Sequence, residues 1–402
     1  MDWQCYFAGS VWSSVAMVLA ASLFKIQSMI FFGLLIVLIY LAAMLFYAFK
    51  FKTFNTSQRG SIDAQTHFSI LIPFRNEAEN LPQLLKCLSE LNYPQHLFQI
   101  FLVDDHSEDD SHNICLKYIE KLSLKNVRVL ENQNLATSPK KSAILTALEY
   151  VNTGYVVTTD ADCLLPEDWL LYFDNCIQQT KADLIAGPVR MIEENSFWQK
   201  FQVLDLMSLQ VIGLGSFNAK TPLMCNAANL AYNAKTLKSL NAFEKHQQHI
   251  SGDDIFTLEA IHKAGKIVKA VVHLEATIWT KAQQDFKELT QQRIRWASKA
   301  KHYQSQKLIG LGVLVFLTNL ILVLSLGLAF VFEGFKFWFW LLWVLKITTD
   351  FVVLYVGKQF FKTGMCSKDY LLMLLIYPFA NVYFALLSFG GKFNWKGRAY
   401  KV

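Results

Sequence analysis

Four short stretches carry the side chains best suited to chemistry, and three of them are acidic. Val103-Asp104-Asp105-His106-Ser107 closes a predicted strand. A carboxylate there can accept hydrogen bonds from a base or a ribose at the upper edge of a sheet, or cap the helix that follows. Thr159-Asp160-Ala161-Asp162 closes another apolar strand. Two carboxylates with one residue between them at a strand end can turn toward one hard cation. Mg²⁺ and Mn²⁺ prefer oxygen ligands and commonly bridge substrate phosphates. Gly252-Asp253-Asp254 opens a predicted helix, Ile255–Lys263. An aspartate there can cap the helix or act as a general base on a hydroxyl. Gln291-Gln292-Arg293-Ile294-Arg295-Trp296 lies on a helix predicted from Asp285 to His302. Its amide, guanidinium and indole groups can meet a substrate, although a plain interfacial helix is also rich in Arg and Trp.

The elements that must position these groups alternate. Strand-like apolar runs at His67–Phe74, Phe98–Asp105, Val127–Glu131 and Tyr155–Asp160 are separated by helical patterns at Glu77–Glu90, Asp110–Leu122 and Ser138–Val151. This alternation predicts a doubly wound α/β sheet with ligands at the carboxyl ends of its strands.

Apolar segments flank this region. Ile26–Phe49 is uncharged, long enough to cross about 30 Å of hydrocarbon, and followed by Lys50, Lys52 and Arg59. It reads as a retained anchor, because a cleaved signal has a shorter apolar region and a basic start. The basic flank places the next domain in the cytoplasm. Residues 1–24 are apolar but broken by serines, and read as an interfacial segment or a poor second span. Leu308–Phe332, Phe337–Val356 and Tyr370–Phe389 are each about span length. Lys346 and Asp350 lie four apart on the second and can pair. Pro378 predicts a break in the third, giving a re-entrant or interfacial hairpin that returns the basic, aromatic tail Lys392–Lys401 to the cytoplasm. The division expected is a membrane anchor over 1–60, a cytoplasmic domain over 61–305 and a membrane region over 306–402.

Composition agrees. Of 402 residues 53% are hydrophobic and only 17% charged, against roughly 25% charged in soluble domains. The net charge of +6, without a long basic run, gives no support to a nucleic-acid partner. The seven cysteines (5, 87, 115, 163, 176, 225 and 366) include no CxxC pair and read as reduced.

Taken together and in this order, the motifs resemble those of the family-2 glycosyltransferases, over about Phe68–Trp296. The resemblance implies a GT-A fold with a mixed sheet, a nucleotide-sugar donor and Mg²⁺ or Mn²⁺. It assigns Ser69-Ile-Leu-Ile-Pro73-Phe-Arg75-Asn-Glu77 to the opening strand and donor turn. Asp104 and Asp105 would contact the nucleoside, and Lys140 and Lys141 of Pro139-Lys-Lys-Ser142 would lie beside the donor. Asp160 and Asp162 would hold metal and donor, Asp254 would be the catalytic base with Asp253 beside it, and Gln292, Arg295 and Trp296 would form the Gln-x-x-Arg-Trp motif of membrane-bound members on the acceptor side. Two departures stand out: Asp253 takes the place of a Glu, and Ala227-Ala228 replaces the Gly usual before Ala-Asn in an acceptor-side segment. The implied function is inverting sugar transfer at the cytoplasmic face of a cell membrane, onto a lipid, a lipid-linked glycan or a polysaccharide. Three C-terminal segments are few for a polymer channel, which favours the lipid. The alternatives are a processive polysaccharide synthase, a nucleotidyltransferase and a non-catalytic nucleotide-sugar-binding membrane protein.

Overall fold

The computed structural model describes residues 3–54, 63–193, 195–241, 252–390, 392–396 and 398–401; the side chains of 3–27, 392, 394, 395, 399 and 401 are not described. Arg59 of the basic flank and the side chain of Cys5 therefore lie outside the described residues. Helix α1 (Trp3–Lys52) continues through residue 25 as one helix, so 3–24 form no separate segment.

The catalytic-type domain begins with β1 (Phe68–Phe74), α2 (Leu81–Ser89), β2 (Phe98–Asp104), α3 (Ser111–Lys121), β3 (Val127–Glu131), α4 (Pro139–Leu148) and β4 (Tyr155–Thr158). It continues through α5 (Trp169–Thr180), β5 (Leu184–Ala186), β6 (Val189–Met191), α6 (Phe197–Asn218), β7 (Leu230–Asn233), α7 (Ala234–Leu240), α8 (Asp253–Lys263), β8 (Val268–Ala270), β9 (Ile278–Thr280) and α9 (Phe286–Ser298). The main sheet has the order β3-β2-β1-β4-β7-β5-β8. Only β7 runs antiparallel to its neighbours, β4 and β5, so the sheet is mixed. The near-continuous apolar run of β1 suits a central parallel strand buried on both faces. Alternate residues serve opposite cores: Ile70 and Ile72 pack with α2, while Leu71 faces α4 and the foot of α1.

This register also sets up the site. Phe74 pairs with Asp104 and Leu71 with Thr158 across parallel strands. The carboxyl ends of β1, β2 and β4 therefore share one edge, and each is followed by one of the polar motifs.

Among the described residues four helices are long and apolar enough to cross a membrane: the Ser28–Lys52 part of α1, then α10 (Gln306–Val331), α11 (Lys336–Phe361) and α12 (Ser367–Leu387). Helix α6 joins them to the domain. A Cβ at Gly215 would sit 2.3 Å from the Tyr47 carbonyl, so only glycine lets α1 and α6 approach this closely. Lys346 is wholly buried and pairs with Asp350 at 2.5 Å, and Tyr40 of α1 donates to the other Asp350 oxygen at 2.7 Å. The pair faces protein, as its cost in hydrocarbon requires.

Helix α12 differs from the expectation. It is unbroken, with Pro378 buried inside it, and the expected hairpin is absent. Both of its ends meet the domain: Asp369 pairs with Lys200 of α6 at 3.1 Å, and the Phe384 ring lies 6.1 Å from that of Phe286 on α9. The tail follows as an antiparallel hairpin, β10 (Lys392–Trp395) and β11 (Arg398–Lys401). It returns to the domain by the direction of α12 and not by a break within it.

Candidate active site

The polar motifs converge on one cavity of about 1370 Å³. That exceeds the roughly 300–1,000 Å³ usual for a single drug-sized ligand, leaving room for two substrates. Pro73, Arg75, Glu77, Asp105, Lys140, Asp160, Asp162, Asp253, Asp254, Gln292, Arg295 and Trp296 all line it.

Two expected donor-side residues point elsewhere. Asp104 accepts from the Ser107 amide at 2.9 Å and from its hydroxyl at 2.7 Å, with His112 Nδ1 at 3.2 Å. It ties the turn after β2 and does not line the cavity. Lys141 is buried, its amine 5.3 Å from the centre of the Phe256 ring, and burial pushes its pKa down to about 8. On a helix, adjacent residues face different ways, so Lys140 takes the cavity and Lys141 the core.

Asp105 is gripped from both sides, by Asn132 at 2.6 Å and by Arg398 at 2.8 Å. Arg75 donates to the carbonyls of Asp105 and His106, at 2.7 and 2.6 Å, and pairs with Glu108. It therefore staples the donor-side loop. Glu77 pairs with Lys396 at 2.6 Å. The tail cations Lys396 and Arg398 thus cover the donor side. The alternation in Lys392-Phe-Asn-Trp-Lys-Gly-Arg-Ala-Tyr-Lys401, with Lys-Gly at its middle, is a hairpin signal that could have flagged a folded tail.

At the centre, Lys140 lies 2.5 Å from Asp160 and 3.7 Å from Asp253. Burial alone would raise the Asp253 pKa, but Lys140, Lys299 and Lys141 together hold it below the ordinary value. Asp254 pairs with Lys299 at 3.3 Å. Neither aspartate is the helix cap: Gly252 is, at φ +94°, where a Cβ would also strike the Phe256 ring at 2.6 Å. Asp162 is pushed up to about 6 by burial and by the charges of Asp160 and Glu77.

These carboxylates suit a hard cation. Among the described residues no three His, Cys, Asp or Glu side chains converge on one point. An ion here would take one or two carboxylates and fill its shell with water and phosphate oxygens, as Mg²⁺ usually does. The crowding that favours a proton on Asp162 would equally favour such an ion.

Helix α9 is capped by Asp285, which accepts from the Glu288 amide at 2.8 Å. Gln292, Arg295, Trp296 and Lys299 recur on its cavity face. Arg293 also lines the cavity, where it pairs with Asp205 of α6 at 2.6 Å and lies 4.3 Å from the centre of the Trp296 ring. Asn226, Ala227 and Ala228 also line the cavity. Asn229 does not, and instead bonds Pro188, Ala276 and Trp169 in the core.

Comparison with known proteins agrees with this architecture. The chain matches Glycosyl transferase family 2 over residues 69–230 and Glycosyl transferase family group 2 over 155–386, more than half its length. The chain is a family-2 glycosyltransferase. Membership sets aside the nucleotidyltransferase alternative. This transferase is 31% identical over 134 residues to an undecaprenyl-phosphate 4-deoxy-4-formamido-L-arabinose transferase of Pseudomonas syringae pv. syringae, covering 33% of this chain and 38% of that protein. It is 28% identical over 145 residues to a beta-monoglucosyldiacylglycerol synthase of Nostoc sp., covering 36% and 30%. The aligned stretches thus span well under half of either relative. The solved mannosyltransferase PcManGT of Pyrobaculum calidifontis, in complex with GDP-Man and Mn²⁺, superposes with a TM-score of 0.55 at 14% identity. That match covers 82% of the transferase and 97% of PcManGT, and shows the shared GT-A fold.

Proposed function

We propose that this transferase moves a sugar from a nucleotide-diphosphate donor, of the UDP-sugar type, to a lipid or lipid-linked glycan at the cytoplasmic face of a cell membrane, inverting the anomeric carbon. The observation that carries this reading is one continuous cavity. It joins the Asp160/Asp162 and Asp253/Asp254 carboxylates to the Gln292–Trp296 face and runs on between α10 and α12. The names of the two relatives, which include a lipid phosphate and a diacylglycerol, support a lipid acceptor.

Asp105 and the backbone stapled by Arg75 hold the nucleoside, and Lys140 faces the diphosphate. Asp254 takes the proton of the acceptor hydroxyl. The acceptor oxygen bonds the anomeric carbon as the bond to the diphosphate breaks, and the bonding pair leaves on the phosphate. Lys299 holds Asp254 in place, and Trp296 offers a face for the acceptor to stack on. Mg²⁺ or Mn²⁺, held by Asp162 with Asp160, supplies positive charge beside the leaving diphosphate when bound. In the membrane, α1, α10 and α11 cross and α12 lies along the cytoplasmic face.

Incubation of the purified protein with labelled nucleotide-sugars and a membrane-lipid extract tests this reading. A labelled, lipid-extractable product is expected. Turnover of no nucleotide-sugar refutes it.

A further inference from the structure

Asn132 follows β3 and is buried beneath the donor side, where it touches two of the elements that build it. Its side-chain nitrogen donates to Asp105 Oδ1 at 2.6 Å and to the Pro139 carbonyl at 3.3 Å. Its side-chain oxygen accepts from the Ser142 hydroxyl at 2.5 Å and from the Asn134 amide at 3.1 Å. A backbone amide only donates and a backbone carbonyl only accepts, so these partners fix which end of the side chain is nitrogen. Its own backbone amide donates to the Asp104 carbonyl at 2.9 Å. Pro139 and Ser142 stand on either side of Lys140 and Lys141 in the first turn of α4. One buried residue therefore joins the turn after β2, the loop after β3 and the helix that carries Lys140.

The loop by itself does not call for asparagine. The bond from the Asn134 amide closes an Asx-turn, which an aspartate closes equally well. A carboxylate would also accept from the Ser142 hydroxyl. Only the nitrogen separates the two residue types, and its shorter bond goes to Asp105. With aspartate at position 132, two carboxylate oxygens would meet across that 2.6 Å contact. Arg398 takes the other Asp105 oxygen at 2.8 Å. A carboxylate has about four acceptor positions. The two bonds thus orient Asp105 and leave positions open toward the cavity that it lines.

Resting on the transferase reading above, we propose that Asn132 is a positioning residue of the donor site. It touches no substrate. Its amide nitrogen aims the Asp105 carboxylate at the nucleoside. Through Pro139 and Ser142 the same side chain sets the span from there to Lys140, which faces the diphosphate.

The test uses the full-length protein in nanodiscs, with a nucleotide-sugar and a membrane-lipid extract that the wild type turns over. Asn132→Asp keeps the turn and the Ser142 contact and changes only the group that faces Asp105. At about pH 8 its donor KM should rise at least about tenfold, with kcat and the acceptor KM within about twofold. Two carboxylates in contact raise the pKa of one of them, so a proton shared between positions 105 and 132 restores the bond at lower pH. The ratio of variant to wild-type donor KM should therefore fall between about pH 8 and about pH 5.5. Arg398 stays charged throughout, and titrations common to both proteins cancel in the ratio. Asn132→Ser closes the turn with a hydroxyl and adds no charge. Its donor KM should rise at least about fivefold, by a ratio that is flat with pH. A wild-type donor KM in either folded variant overturns the inference and leaves the transferase reading standing. So does an Asn132→Asp ratio that is flat with pH, which would mark a distorted loop and not a misplaced Asp105. Turnover of no nucleotide-sugar by the wild type refutes the transferase reading and this inference with it.

Discussion

Lys140 and Lys141 are adjacent in sequence and should behave oppositely. Lys140 stands between two carboxylates, at 2.5 Å from Asp160 and 3.7 Å from Asp253, with its side chain 18% exposed. Lys140→Met leaves both acids without this partner. Breaking a fully buried pair costs about 3–5 kcal/mol; partial exposure of Asp160, together with the remaining Lys299, brings the expected loss of stability to about 2–3 kcal/mol. A charge-assisted contact to the donor diphosphate is worth about 1.5–3 kcal/mol, so the donor KM should rise about 10- to 100-fold. Lys141→Met removes an amine that burial already disfavours and keeps most of the side-chain volume. The donor KM should change by less than about twofold.

The two lysines also separate by pH. The Lys141 pKa is down at about 8 in the folded protein, against about 10.4 in an unfolded chain. Below pH 8 both states are protonated and the burial penalty is fully present. Between pH 8 and about 10.4 the unfolded state holds more protons, so stability rises with pH. Lys141→Met should lack this rise. Donor titrations and thermal unfolding of the two variants at pH 7 and 9.5 provide the assay. Equal effects on the donor KM, or a larger one at Lys141, would refute the assignment of cavity and core.

Asp254→Asn should lower transfer about 10²–10⁴-fold with donor affinity little changed, as measured by kcat and by donor titration; unaltered turnover would move the base to another residue. EDTA should abolish transfer, with Mn²⁺ or Mg²⁺ restoring it, and Asp162→Ala should weaken donor binding without unfolding the protein; full activity in EDTA would rule out the metal. Lys346→Met strands Asp350 beside Tyr40 and should cost about 3–5 kcal/mol, whereas Lys346→Met with Asp350→Leu should recover much of that, read by thermal unfolding in detergent. A cysteine at Tyr400, in a background without native cysteines, should resist a membrane-impermeant reagent applied outside intact cells; its labelling would show that α12 crosses the membrane.

Much of this protein was legible in the residues themselves. The runs at 68–74, 98–104, 127–131 and 155–158 are strands where their apolar patterns predicted. For the strands at 68–74, 98–104 and 155–158 the reason is local: a strand buried on both faces must be apolar throughout, and the polar break that ends it is where a parallel sheet presents its ligand edge. The Lys346–Asp350 pair was legible for a similar reason, since four residues make one helical turn. Tertiary structure decided the rest. Which of Asp104 and Asp105, or of Lys140 and Lys141, reaches the cavity depends on the turn taken after β2 and on the face that α4 turns to the sheet, and neighbouring residues of one type give no sign of either. Pro378 suggested a break, yet packing around its buried ring keeps α12 whole. Its direction is set by contacts with α6 and α9, which lie about 100 to 170 positions away in the chain. The same long-range docking carries Lys396 and Arg398 onto Glu77 and Asp105, about 300 residues upstream. Charge alone marked those two residues as basic; only the folded chain decides that their partners are carboxylates of the domain and not the headgroups of a bilayer.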